Sequence, residues 1–229
     1  MEFCIIGIIV IMLGIILGIL FEYNMKEIKK LEKNKELDEI SKKYPSNIEL
    51  CKTYLKKLNN ENVIIEENKD NESSLYIAIS NKISIANISN TFTRIQTIAH
   101  ECLHSIQDRK VLLFNFIFSN IYLLYFFTIC ILAIFKILPY KMLFLTIFTI
   151  LSLVYCMIRM YLENDAMIKA RYLAKEYLEE VKISDDREIK KIVAGFDNIN
   201  KIGMKVLHYS FILNVFVKIL IYSVICLIR

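Results

Sequence analysis

Two of the three histidines in this 229-residue chain stand four residues apart with a glutamate between them, in Ile98-Ala99-His100-Glu101-Cys102-Leu103-His104-Ser105. This is an HExxH arrangement. On a helix, residues i and i+4 lie one above the other, so His100 and His104 can offer their imidazoles to a single metal ion. Glu101, turned about 100° from them, can take a proton from a water activated by that ion. The chemistry that fits is hydrolysis with one Zn2+ as cofactor and Glu101 as general base.

A catalytic zinc ordinarily has three protein ligands and one open position. Glu163 is the best-placed third candidate. It lies about 5 residues past an apolar run that ends at Ile158, roughly 8 Å of helix. His104 lies about 7 residues before another run that begins at Val111, roughly 10 Å, so the two fall at similar heights above a membrane. Ala166, Ala170 and Ala174 lie close to the helical face of Glu163 and would let a second helix approach. Two alternatives stay open. Asp165, about 200° round the same helix, is a weaker ligand or a hydrogen-bond partner for a ligand histidine. His208, the remaining histidine, opens the last apolar run.

The elements that must position these residues can be read from periodicity. Ile95, Ile98, Ala99, Cys102 and Ile106 make an apolar stripe, whereas Gln96, His100, His104 and Gln107 fall on another face. Before this helix, Leu75–Ile79 and Ile83–Ala86 alternate around Ser80-Asn81-Lys82 and predict a β-hairpin. A sheet edge beside a metal can take an extended substrate as an added strand, or the hairpin serves only to pack the helix. Val63-Ile64-Ile65 is a further strand candidate, followed by the polar run Glu66–Ser74. Pro45, Ser46 and Glu49 mark a capping box for a helix through Leu50, Tyr54, Leu55 and Leu58, closed by Asn59-Asn60. Tyr23 to Tyr44 predicts one amphipathic helix, either a solvated spacer or a lipid-binding one.

With 55% hydrophobic residues and a positive mean hydropathy, the chain is too apolar for an ordinary water-soluble domain. The apolar residues are bunched into Phe3–Phe21, Val111–Phe135, Met142–Ile158 and Val206–Ile228, each long enough to span a bilayer. The first lacks a basic leader and a small-residue cleavage site, so it reads as a retained anchor rather than a signal peptide. Lys26, Lys29, Lys30 and Lys33 follow it and place that end in the cytoplasm, with the site-bearing segments on the same side. The expected division is an anchor at 1–22, a cytoplasmic region at 23–110, a transmembrane hairpin at 111–158, a cytoplasmic helical region at 159–205 and a last span at 206–229. The third helix should run on to about Val181. Ser184-Asp185-Asp186 should open another, loosened by Gly195 and Gly203, and Lys218 should either snorkel or face the bundle interior. Six scattered cysteines give no metal-binding pair and no disulfide assignment. Heavy use of Ile, Lys and Asn without Trp points to an AT-rich, bacterial genome. The expected partners are the lipid bilayer and a peptide or membrane-protein substrate, not nucleic acid.

On the block Ala99-His100-Glu101-Cys102-Leu103-His104-Ser105-Ile106-Gln107 together with Glu163-Asn164-Asp165-Ala166, the chain resembles the neutral zinc metallopeptidases of bacterial membranes, the YugP-type family. The order of anchor, small αβ region, A-H-E-x-x-H-x-I-Q, membrane hairpin, E-x-[DN]-A and final span is similar over most of the chain. Leu103 replaces the family's usual Gly, and Met167-Ile168-Lys169-Ala170 replaces its small-Arg-Arg-Ala, which touches packing rather than ligands. The resemblance implies a gluzincin-like peptidase and a mainly α membrane protein, about four transmembrane helices with a small α+β, zincin-like cytoplasmic region. It also draws attention to Tyr209, where the family's last span often has a Tyr. Tyr209 and His208 are the candidates for the group that stabilises the oxyanion. The rival expectations are an inactive zinc-binding scaffold or metal sensor, and a transporter or channel.

Overall fold

The structure is a computed structural model that describes residues 1–68, 70 and 73–228. Of the polar run 66–74, residues 69, 71 and 72 lie outside the described residues, as does Arg229 of the last segment. The chain forms eight helices and three strands among the described residues. In order these are α1 (Glu2–Leu20), α2 (Met25–Leu31), α3 (Lys35–Ser41), α4 (Asn47–Lys57), β1 (Ile64–Glu67), β2 (Leu75–Ile77), β3 (Lys82–Ile85), α5 (Arg94–His104), α6 (Arg109–Ile134), α7 (Lys141–Val181) and α8 (Asp186–Ile228). They divide into two compact units. One comprises Met1–Tyr23, Phe114–Tyr161 and Lys205–Arg229, and the other Asn24–Leu113 and Leu162–Met204.

The first unit holds the apolar parts of α1, α6, α7 and α8, four helices long and apolar enough to cross a membrane. Its interior is aromatic. Tyr122 stacks on Phe148 and Tyr155, with ring centroids 5.2 and 4.9 Å away, amid Phe126, Ile129, Ile219 and Tyr222. Outward-facing side chains such as Leu124, Leu153 and Met157 are exposed and apolar, the surface lipid requires. Lys218 turns inward. Its ammonium lies 4.7 Å from the centre of the Tyr122 ring and donates to Asn214 Oδ1 at 2.7 Å, so rings and an amide replace the water a snorkelling chain would seek.

In the second unit, α4 begins with the expected capping box, Ser46 and Glu49 each bonding the other's backbone N–H. The hairpin forms as β2 and β3, antiparallel, with Leu75 opposite Ser84 and Ile77 opposite Lys82. β1 pairs in parallel with β3, giving the order β1-β3-β2. The central strand is accordingly the most buried, with Ile83 and Ile85 inaccessible. These side chains join Leu50, Tyr54, Ile95, Ile98, Ala166, Ala170, Tyr177 and Phe196 in one core.

Two expectations change here. The stretch Tyr23–Tyr44 is two helices, because the side chains of Asn24 and Asn34 each accept from a backbone N–H three residues on and start a separate helix. α2 buries no residue, whereas α3 packs Leu37 and Ile40 into the core. Gly195 does not loosen α8, which is one uninterrupted helix. A Cβ at Gly195 would stand 2.8 Å from Leu37 Cδ1 and 2.9 Å from Phe92 Cε2, so glycine is what lets α3 and the Phe92 ring approach.

Candidate metal centre

α5 is placed by its buried face. Ile95, Ile98, Ala99 and Cys102 have no accessible surface, the Tyr54 hydroxyl donates to the Ile95 carbonyl at 3.1 Å, and the Cys102 and Cys51 thiols of α5 and α4 lie 3.5 Å apart, both free. Ile106 departs from the expected stripe. The helix ends at His104, and Ile106, in the turn beyond, is exposed. That turn is held by Asn60, whose amide donates to the Ser105 carbonyl and hydroxyl. On the opposite face, Gln96 hydrogen-bonds Asn200 of α8.

With its back fixed in this way, α5 presents His100 and His104 to α7, where Glu163 meets them. The two Nε2 atoms are 3.0 Å apart, and a Glu163 carboxylate oxygen lies 3.4 Å from His100 Nε2 and 3.6 Å from His104 Nε2. All three residues are half-buried, and Ala166, directly after this turn of α7, is fully buried. A tetrahedral zinc with bonds of about 2.0–2.1 Å sets neighbouring ligand atoms about 3.3 Å apart. The observed triangle fits that spacing without rearrangement, and its atoms are two imidazole nitrogens and one carboxylate oxygen, a donor set suited to zinc.

Glu101 lies beside the cluster and is 6% exposed. Burial pushes its carboxyl pKa up. The neighbouring imidazoles and the backbone N–H of Tyr76 in β2 offset only part of this. A carboxylate moved in that direction is a stronger base. For His104, burial alone would lower the pKa, but the carboxylates of Glu163 and Glu101 and the Gln107 amide outweigh it, and the imidazole is raised from its usual value.

Asp165 does not join the triangle. Its carboxylate pairs with Lys169 at 2.5 Å and accepts from Gln107 Nε2 at 3.2 Å. Gln107 in turn faces His104, its Oε1 2.8 Å from Nδ1. The expected support of a ligand histidine by Asp165 thus runs through a residue that periodicity only put on the ligand face. Its spacing of three residues from His104 was the available signal. Tyr209 and His208 lie in the first unit. There the Tyr209 hydroxyl donates to the Gly14 carbonyl at 3.0 Å, and its ring packs against Tyr23. Compared with known protein families, curated proteins and solved structures, the chain finds no match.

Proposed function

We propose that the chain is a membrane-embedded zinc metallopeptidase in which His100, His104 and Glu163 would hold one zinc ion and Glu101 is the general base. One observation carries this reading: three ligand atoms from two helices converge within 3.6 Å, with the buried, more basic Glu101 of the same motif beside them. When bound, the zinc supplies Lewis acidity, which lowers the pKa of water and polarises a scissile carbonyl. Glu101 accepts the proton of the attacking water and passes it to the leaving amine, a role suited to a carboxylate held above its usual range. β2 is an edge strand, and Tyr76 directs a backbone N–H at Glu101, so an extended peptide laid along β2 would run beside the base. The four apolar helices and the lysines after the first of them support a multi-pass membrane protein whose site faces the cytoplasm. The resemblance to the YugP-type peptidases agrees with this assignment.

A closed structural zinc site normally has four protein ligands, and among the described residues this cluster has three. The test is Glu101→Gln in the purified, zinc-loaded chain. Zinc content should stay at one ion while peptide hydrolysis falls about 100- to 10,000-fold. Equal cleavage by variant and wild type would remove the peptidase assignment and leave a metal-binding scaffold or sensor.

A further inference from the structure

Gln107 sits past the end of α5, in the turn before α6, and all three polar atoms of its side-chain environment are defined. Its Nε2 faces the Leu162 carbonyl at 2.8 Å and Asp165 Oδ2 at 3.2 Å, while its Oε1 faces His104 Nδ1 at 2.8 Å. A carbonyl and a carboxylate accept hydrogen bonds and cannot donate them, so the NH2 end of the amide must point to α7. Only the amide oxygen is left for His104. An oxygen that can only accept requires a proton on Nδ1, and a neutral imidazole with its proton there has its lone pair on Nε2. Nε2 is the atom that meets His100 and Glu163.

Resting on the three-ligand reading above, we propose that Gln107 is the positioning residue of the metal site. Fixed by two acceptors on α7, it locks His104 in the tautomer and ring orientation that make Nε2 the ligand. It does so while tying the α5–α6 turn to the helix that carries Glu163. Asp165 acts at one remove, by orienting the amide rather than the imidazole, and Lys169 holds Asp165 in place. The turn is braced from its other side by Asn60 on the Ser105 carbonyl, so Gln107 has little freedom to turn away.

The role can be tested without activity, on the full chain in detergent, by titrating Co2+ and following its visible absorption, with nitrogen NMR of the histidines in the metal-free protein at a pH high enough for His104 to be neutral. Gln107→Met keeps the length and removes the amide. It should lower Co2+ affinity about 10- to 100-fold, the usual effect of losing a partner behind a ligand histidine. It should also release His104 into a mixture of tautomers. The exchange variant Gln107→Glu with Asp165→Asn returns an acceptor to Nδ1 and a donor at position 165, while the Leu162 carbonyl loses its side-chain donor. It should recover part of the affinity and the single tautomer, which general damage to the turn would not allow. Wild-type affinity in Gln107→Met, or an exchange variant that binds no better than Gln107→Met, would overturn the role of Gln107 and leave the metal site standing. Absence of Co2+ uptake by the wild type would overturn the metal site itself, and Gln107's role with it.

Discussion

In the second unit a guanidinium is almost completely buried. Arg94 is 3% exposed and donates to the Ser41, Tyr44 and Pro45 carbonyls and to Asn47 Oδ1, at 2.8 to 3.1 Å. In the first unit, apart from the inward Lys218 ammonium, single hydroxyls donate to helix carbonyls, as in Tyr209 to Gly14, Tyr222 to Lys141 and Ser152 to Phe148. The contrast follows from what each backbone leaves unsatisfied. Where α3 ends and the chain turns into α4, several carbonyls lose their helical donors, and one planar cation with a fork of N–H groups satisfies them together. Away from the ends of helices long enough to cross a bilayer, each carbonyl already has its i+4 donor, so a hydroxyl there adds orientation without rescuing an orphan. The site-bearing unit is thus fixed by a polar hub, and the apolar unit by shape with a few directional pins.

The largest effect should come from breaking the hub. Arg94→Ala takes the guanidinium from four acceptors, of which the Tyr44 carbonyl and Asn47 Oδ1 belong to buried residues and the Ser41 carbonyl keeps the Tyr44 N–H, and should cost the second unit about 3 kcal/mol. Hydrogen exchange should show protection lost in α3, α4 and α5 while the first unit keeps its own. Uniform loss across both units would mean that the hub is not local to one of them.

Overpacking gives the next effect and compares the units directly. Gly195→Ala forces a methyl against Leu37 and Phe92 and should cost about 1–3 kcal/mol, less a few tenths returned by helix propensity. In the first unit, Gly18→Ala meets the Tyr209 hydroxyl at 3.1 Å, the end of a side chain that can shift, and should cost less. A thermal unfolding series that reversed this order would contradict the packing described for α8.

Tyr209→Phe removes one pin and should cost about 1 kcal/mol, because the Gly14 carbonyl belongs to a continuous helix. The same variant sharpens the role that the family resemblance suggested. Loss of an oxyanion donor costs about 100-fold or more in kcat, so a change within a few fold would leave Tyr209 as packing.

The smallest effect concerns the metal-free protein. His104 has a raised folded-state pKa, so its interaction with Glu163 contributes stability that is fully present below about pH 6.5, its unfolded value. That stability is lost as pH rises through the raised folded value. The difference in Tm between the metal-free wild type and His104→Gln should therefore shrink from pH 6 to pH 9. A difference that grows with pH would show that His104 is neutral in the folded apoprotein throughout.

Features written in short stretches of sequence could be read before any coordinates. The HExxH spacing, the capping box at Ser46 and Glu49, the hairpin of β2 and β3 and the four apolar runs each depend on periodicity or capping within a few residues of one another. Glu163 was singled out by a longer-range argument, since helical rise measured from the ends of two apolar runs brought it level with His104, and in the fold its carboxylate meets both histidines. Other features depend on which distant segments meet. The placing of β1 on the far side of β3, the close approach that requires Gly195 and the burial of Arg94 under three carbonyls have no local signature. The link from His104 through Gln107 to Asp165 takes a step of 58 residues between Gln107 and Asp165 and forms only once the end of α5 docks on α7. Sequence could single out His100, His104 and Glu163 as candidates because metal chemistry restricts residue type. It could not single out the amide that faces His104, since any donor–acceptor side chain within reach would do and reach is set by tertiary packing.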